Sequence, residues 1–181
     1  MYENMRSDPR SIPVYSATLY HGLPGEILRR LKFNGEKHLA SVAAALTVEH
    51  AVRLPGPGDL LVPVPVAPGR RRERGYNQVL LIARELVSTT GCELGDVLYR
   101  DDGPSQVGLT PEERRKNVRG VFHFKGKKSL EDLRIWILDD VATTFSTIHS
   151  ASGELRRAGA RGITGLTVTY RRRLSGSIIP Y

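Results

Sequence analysis

The chain of 181 residues carries 27 Lys and Arg against 19 Asp and Glu, a formal charge of +8, and one cysteine, Cys92. That length favours a single domain with a substantial core, and 40% hydrophobic against 25% charged residues exclude a disordered chain. One cysteine excludes a disulfide framework and a Cys-based zinc cluster; the lack of any run near ~20 apolar residues excludes a membrane-spanning helix, and with no apolar signal segment the expected compartment is the cytoplasm.

Residues 1–11 are polar and contain Pro9, so a flexible arm is expected. Residues 12–55 are expected to form a small helical hood. In it, SIPVYSATLY reads as a short strand. EILRRLKF reads as a helix opened by Pro24 and Gly25, with Ile27, Leu28 and Leu31 at helical spacing and Gly35 at its end. KHLASVAAALTVEHAV follows as a second helix, rich in Ala and Leu. The PGPG run at 55–58 is a strong breaker. The core is expected over 56–173, with 174–181 as a tail.

Within that core, DLLVPVPV (59–66) is a continuous apolar run of buried-strand length. APGRRRERGY reads as a basic loop. Asn77 is placed to cap the helix QVLLIARELVSTT, whose Val79, Ile82, Ala83 and Leu86 form one stripe before Gly91. DVLYR and VFHF read as short β-segments on either side of a long polar connection, 101–120. RIWILDD (134–140) repeats the buried-strand pattern. VATTFST follows as a loop, and Ile148, Ala151, Leu155 and Ala158 line one face of a helix that Gly159 closes. ITGLTVTY is the last strand. Strands alternating with helices predict an α/β fold, a doubly wound and mostly parallel sheet.

In such a sheet, ligands bind outside the carboxyl ends of the strands. One strand delivers Asp139 and Asp140 to its rim, followed by Thr143, Thr144, Ser146 and Thr147 and then a helix N-terminus. Hydroxyls, backbone N–H groups and the helix dipole make a receptor for a phosphate dianion. Carboxylates one residue apart point to opposite faces of a strand, so one can accept from ligand hydroxyls while the other braces the loop. A sugar phosphate suits this set better than bare phosphate. At another strand end stand Arg70, Arg71 and Arg72. The plainer alternatives are a polar strand end capping its own turn and a solvated basic loop. The five histidines show no ligand spacing, and Cys92 has no histidine near it in sequence and reads as structural.

LDDVATTFST resembles the phosphoribosyl-pyrophosphate signature of type I phosphoribosyltransferases. LVPVPVAPGRRRERGYNQVLLIARELV (61–87), Gln106 with Arg114 to Phe122, and RRLKFNGEKHLASVAAAL are similar to the ComF-type (competence protein F) branch, in the same order across residues 20–172. The resemblance implies a type I phosphoribosyltransferase-like fold. It implies that Asp139 and Asp140 hold the ribose 2′- and 3′-hydroxyls and that residues 143–147 cradle the 5′-phosphate. Arg70, Arg71 and Arg72 would meet the pyrophosphate, and Arg114 would sit on a loop closing over the site. Magnesium (Mg2+) would be held largely by the substrate's own oxygens. The implied reaction transfers the phosphoribosyl group from phosphoribosyl pyrophosphate to an unidentified acceptor. The alternative is a non-catalytic competence-associated module handling single-stranded DNA, with competence-machinery proteins as partners. Two departures stand out. Phe145 occupies a position where the family carries glycine, so its ring is expected to turn outward or to stack on the ligand. The Cys-rich zinc ribbon that many members carry ahead of the core is expected to be missing.

Overall fold

The computed structural model describes residues 12–102, 121–126 and 129–171. The expected N-terminal arm, most of the polar connection with Arg114, and the C-terminal tail lie outside them.

Twelve elements follow one another: β1 (Val14–Leu19), α1 (Gly22–Phe33), α2 (Leu39–His50), β2 (Asp59–Pro63), α3 (Pro68–Arg74), α4 (Gln78–Thr90), β3 (Glu93–Leu94), β4 (Leu98–Arg100), β5 (Phe122–Phe124), β6 (Arg134–Ala142), α5 (Ser146–Arg157) and β7 (Gly162–Tyr170). Five strands form one sheet in the order β1-β7-β6-β2-β3, and every neighbouring pair is parallel. β4 and β5 form a separate antiparallel pair. The fold is therefore α/β and doubly wound, as the alternation of elements predicts. Among the described residues no helix is long and apolar enough to cross a membrane.

Both faces of the sheet are covered, which is why its central strands read as continuous apolar runs. On one face Leu61, Trp136, Leu138, Leu166 and Val168 pack against α1, α2 and α4. On the other, Val62, Ile135, Ile137 and Ile163 pack against α5 and the β4–β5 pair. The N-terminal segment joins this architecture directly: β1 pairs with β7, and Leu28, Leu31 and Ala43 share a cluster with Ile82 and Leu86 of α4. Gly165 sets how closely α5 approaches the sheet. A Cβ there would lie 2.9 Å from Ile148 Cγ2 and 3.0 Å from Val14 Cγ1.

Several local readings change, and β2, for one, ends at Pro63, three residues short of the end of the apolar run read as a strand. The basic stretch expected as a loop is the helix α3, with Pro68 in its first turn and Gly75 closing it at φ 78°. β6 runs two residues past its expected end, in register with β7 as far as Ala142 and Tyr170, so the two aspartates lie within the strand. β3 was not foreseen, because its two residues are both exposed and offer no alternation to read.

Candidate functional site

Side chains alternate along β6, and the strand delivers its two carboxylates into unlike surroundings. Asp140 shares the face of Trp136 and Leu138 and is buried. Its Oδ1 accepts from Lys32 Nζ at 2.9 Å and from the Val141 amide at 2.7 Å, while Oδ2 accepts from Gln78 Nε2 at 2.7 Å. Gln78 in turn accepts from Arg74 through its own carbonyl oxygen. Asp139 is half-buried and accepts from the Asp140 amide at 2.9 Å. Burial, reinforced by the negative charge of Asp140 and opposed by Lys32, pushes its carboxyl up to about 7.

Both aspartates line a cleft of about 710 Å³ at the carboxyl ends of β2 and β6, the position expected for a ligand in an open α/β sheet. Lys32, Arg70, Arg74 and Arg100 supply cations to its wall, with Glu73 the remaining acid. Arg70 and Arg74 face the cleft because they lie on one side of α3, four residues apart. Arg71 and Arg72 do not line it. Arg70, Arg71 and Arg72 are all exposed, and Arg72 reaches Asp102 at 3.6 Å. The three consecutive arginines are thus divided, for the physical reason that a helix turns its side chains away by about 100° per residue.

Sequence reasoning missed Lys32, Arg74, Gln78 and Arg100, all of which line the cleft. Arg100 stands at the end of β4, and the Gly69 amide donates to Asp102 at 2.8 Å, tying that strand end to the first turn of α3. This brings Arg100 beside Arg70. Its guanidinium lies over the Phe122 ring at 5.4 Å, and its buried Nε has no hydrogen-bond partner among the described residues. Burial, then repulsion from Arg70, holds it below the usual arginine range. Two like charges kept together beside a cavity are suited chemically to an anion. A single arginine after a short strand carried no sequence signal that marked it.

The hydroxyl-rich turn contributes less side chain than expected. Of residues 143–147 only Thr147 lines the cleft, and the Thr144 hydroxyl bonds that of Ser146 at 3.0 Å. Phe145 does not turn outward or toward the cleft. It is 4% exposed and stacks on Tyr170, with centroids 5.3 Å apart and planes 6° from parallel. Its backbone nevertheless adopts φ 57°, the left-handed conformation suited to glycine, and among the described residues no other non-glycine has positive φ. The turn keeps the glycine-type backbone while its ring joins the core. Phe145 is the N-cap of α5 and its side chain makes no capping hydrogen bond; the first N–H groups of a helix are the kind of donor an anion can meet.

Cys92 is buried, and burial raises its thiol, as suits a structural residue. Among the described residues, no group of three or more His, Cys, Asp or Glu side chains could hold a metal ion. A magnesium ion that arrives with phosphate and water as ligands is compatible with this donor set.

No family model matches the chain. Its sequence is 28% identical to competence protein F of Haemophilus influenzae over 148 residues, covering 76% of this chain and 63% of that protein. It is 26% identical to competence protein ComFC of Bacillus subtilis over 162 residues, covering 84% and 62%. The DNA utilization protein YhgH of Escherichia coli K12 is 28% identical over 144 residues, covering 76% and 63%. The chain thus spans less than two thirds of the length of these relatives. Among solved structures, a glutamine phosphoribosylpyrophosphate amidotransferase from B. subtilis is similar over 74% of this chain and 26% of its own, with 19% identity and a TM-score of 0.45. A purine phosphoribosyltransferase from Pyrococcus horikoshii is similar over 93% and 97%, with 16% identity and a TM-score of 0.40. The fold class rests on the parallel sheet itself. By sequence, the chain is a homologue over most of its length of the competence protein F, ComFC and YhgH proteins.

Proposed function

We infer that the cleft binds phosphoribosyl pyrophosphate with its magnesium and transfers the phosphoribosyl group to an acceptor, releasing pyrophosphate. One observation carries this reading: a carboxyl toward the end of strand β6, Asp139, lines the same cleft as Arg70 and Arg100. Hydroxyls of a ribose suit the first, and a diphosphate suits the second. The reaction breaks the bond from the anomeric carbon to a diphosphate oxygen and forms a bond to the acceptor, which gives up a proton. Positive charge grows on the sugar and negative charge on the leaving group. Arg70 and Arg100 would stabilise that leaving charge. Thr147 and the amides at the start of α5 would hold the 5′-phosphate. Magnesium, when bound with the substrate, would neutralise part of the diphosphate charge.

Calorimetric titration with magnesium phosphoribosyl pyrophosphate tests the reading. The expected affinity is micromolar to millimolar, about 4–8 kcal/mol. Absence of heat at millimolar ligand overturns it.

A second reading is supported by relatives named for competence and DNA utilization and by the charge of +8. On it, the chain handles single-stranded DNA. Affinity for an oligonucleotide should then fall steeply with salt, and a flat salt dependence removes this reading.

A further inference from the structure

Asp139 and Asp140 are adjacent in sequence and unequal in company. Both oxygens of Asp140 already have donors: Lys32 from α1, Gln78 from α4 and the Val141 amide, at 2.7–2.9 Å. Its side chain is 5% exposed and that of Lys32 20%. A carboxylate so filled and so buried has little capacity left for ligand hydroxyls. Among the described residues the Asp139 side chain is hydrogen-bonded by its neighbour alone, accepting from the Asp140 amide at 2.9 Å. Among the described residues no Lys, Arg, Asn or Gln side chain hydrogen-bonds it, and it lines the cleft.

We propose that Lys32 and Gln78 are positioning residues that take up the Asp140 carboxylate and fix the end of β6, so that Asp139 alone receives the hydroxyl groups of the ligand. The inference rests on the reading that the cleft binds a ribose phosphate, and it assigns unequal roles to two residues that the motif presents as a pair. It also makes α1 part of the site, since Lys32 reaches a residue 108 positions away. The charged groups acting on Asp139 are Asp140 on its own strand, Lys32 on α1 and Arg100 on β4; Arg70, Glu73 and Arg74 of α3 line the same cleft. Gln78 of α4 is neutral. Removing Lys32 leaves Asp139 facing an uncompensated Asp140, so the proton on Asp139 should be held to higher pH. Removing the charge of Asp140 should have the opposite effect.

The test uses the full chain in two arms, with circular dichroism as the check of folding. In the ligand-free protein, carbon-13 NMR follows the titration of the Asp139 carboxyl in wild type, Lys32→Met, Lys32→Arg and Asp140→Asn. The expected result is an upward displacement in Lys32→Met, a wild-type midpoint in Lys32→Arg and a downward displacement in Asp140→Asn. In the second arm, calorimetry measures magnesium phosphoribosyl pyrophosphate at several pH values. Asp139→Asn should weaken binding roughly 10–100-fold through lost charged hydrogen bonds. Lys32→Met and Gln78→Leu should weaken it less, with Lys32→Arg restoring it. An unchanged Asp139 midpoint in Lys32→Met overturns the proposal, and so does greater loss of affinity in Asp140→Asn than in Asp139→Asn. If wild type gives no binding heat, the ribose-phosphate reading fails, while the NMR arm still decides whether Lys32 governs Asp139.

Discussion

The turn after β6 and the segment after β2 leave the same edge of the sheet, and they supply the cleft in different ways. Of the turn 143–145 and the start of α5, only Thr147 lines the cavity, one of the five residues expected there. The segment 68–74 offers side chains, Arg70, Glu73 and Arg74, at helical spacing. A tight turn before a helix exposes N–H groups whatever its side chains do. A helix presents what its period selects, so neighbours in sequence part company in space. The same contrast holds inside β6, where alternation separates Asp139 from Asp140.

The largest expected effect concerns the turn. Phe145→Gly relieves the left-handed backbone, worth about 1 kcal/mol, but removes a buried ring whose loss costs about 3–5 kcal/mol. Burial outweighs strain, and we expect a net destabilisation of roughly 2–4 kcal/mol in chemical denaturation. A variant as stable as wild type would mean that the ring adds nothing to the core.

Asp139 gives the next effect through its raised carboxyl. Its folded value is about 7 against an ordinary 3.8, so the native state keeps a proton that the unfolded chain has lost. This contribution is fully present below pH 4 and disappears as pH rises through 7. Asp139→Asn does not titrate, so relative to wild type it should gain roughly 2–4 kcal/mol of stability between pH 4 and pH 8. Thermal melts of both proteins across that range check it, and parallel pH curves contradict it.

Arg100 should register in binding. With Arg100→Gln, affinity for inorganic pyrophosphate is expected to drop by about 1.5–3 kcal/mol, the worth of charged hydrogen bonds. Affinity for orthophosphate should drop less if the phosphate seat lies at α5. Equal losses for both anions would place Arg100 at a general anion site instead.

The fold was largely legible because its signals are local and repeated: apolar runs at 59–66 and 134–140, the stripe of Val79, Ile82, Ala83 and Leu86, and the cap at Asn77, whose side chain accepts from the Val79 amide at 2.9 Å. The site was legible where a motif fixes positions, as at Asp139 and Asp140. It was not legible where function depends on contacts between distant segments. Lys32 is an unremarkable helix lysine until α1 packs beside β6, and Gln78 reads as one more polar residue in the first turn of α4. Arg100 acquires its neighbour only because Asp102 caps α3. The orientation of Phe145 was misjudged because Tyr170, the ring it stacks on, lies 25 residues later on another strand.

The smallest expected effect tests the comparison most directly. If α3 selects its residues by period, Arg70→Ala should weaken binding of magnesium phosphoribosyl pyrophosphate by roughly 10–100-fold. Arg71→Ala and Arg72→Ala should each change it by less than about 0.5 kcal/mol, as expected for exposed charges that act across solvent. Were residues 70–72 instead a loop meeting the pyrophosphate together, the three losses would be similar. Arg72 carries a second safeguard, since its contact with Asp102 is an exposed pair at 3.6 Å, while Asp102 keeps its hold on α3 through the Gly69 amide. Its removal should therefore leave Arg100 in place. Graded losses with Arg70 foremost would establish helical selection at this edge of the sheet, and three equal losses would return the segment to the status of a basic loop.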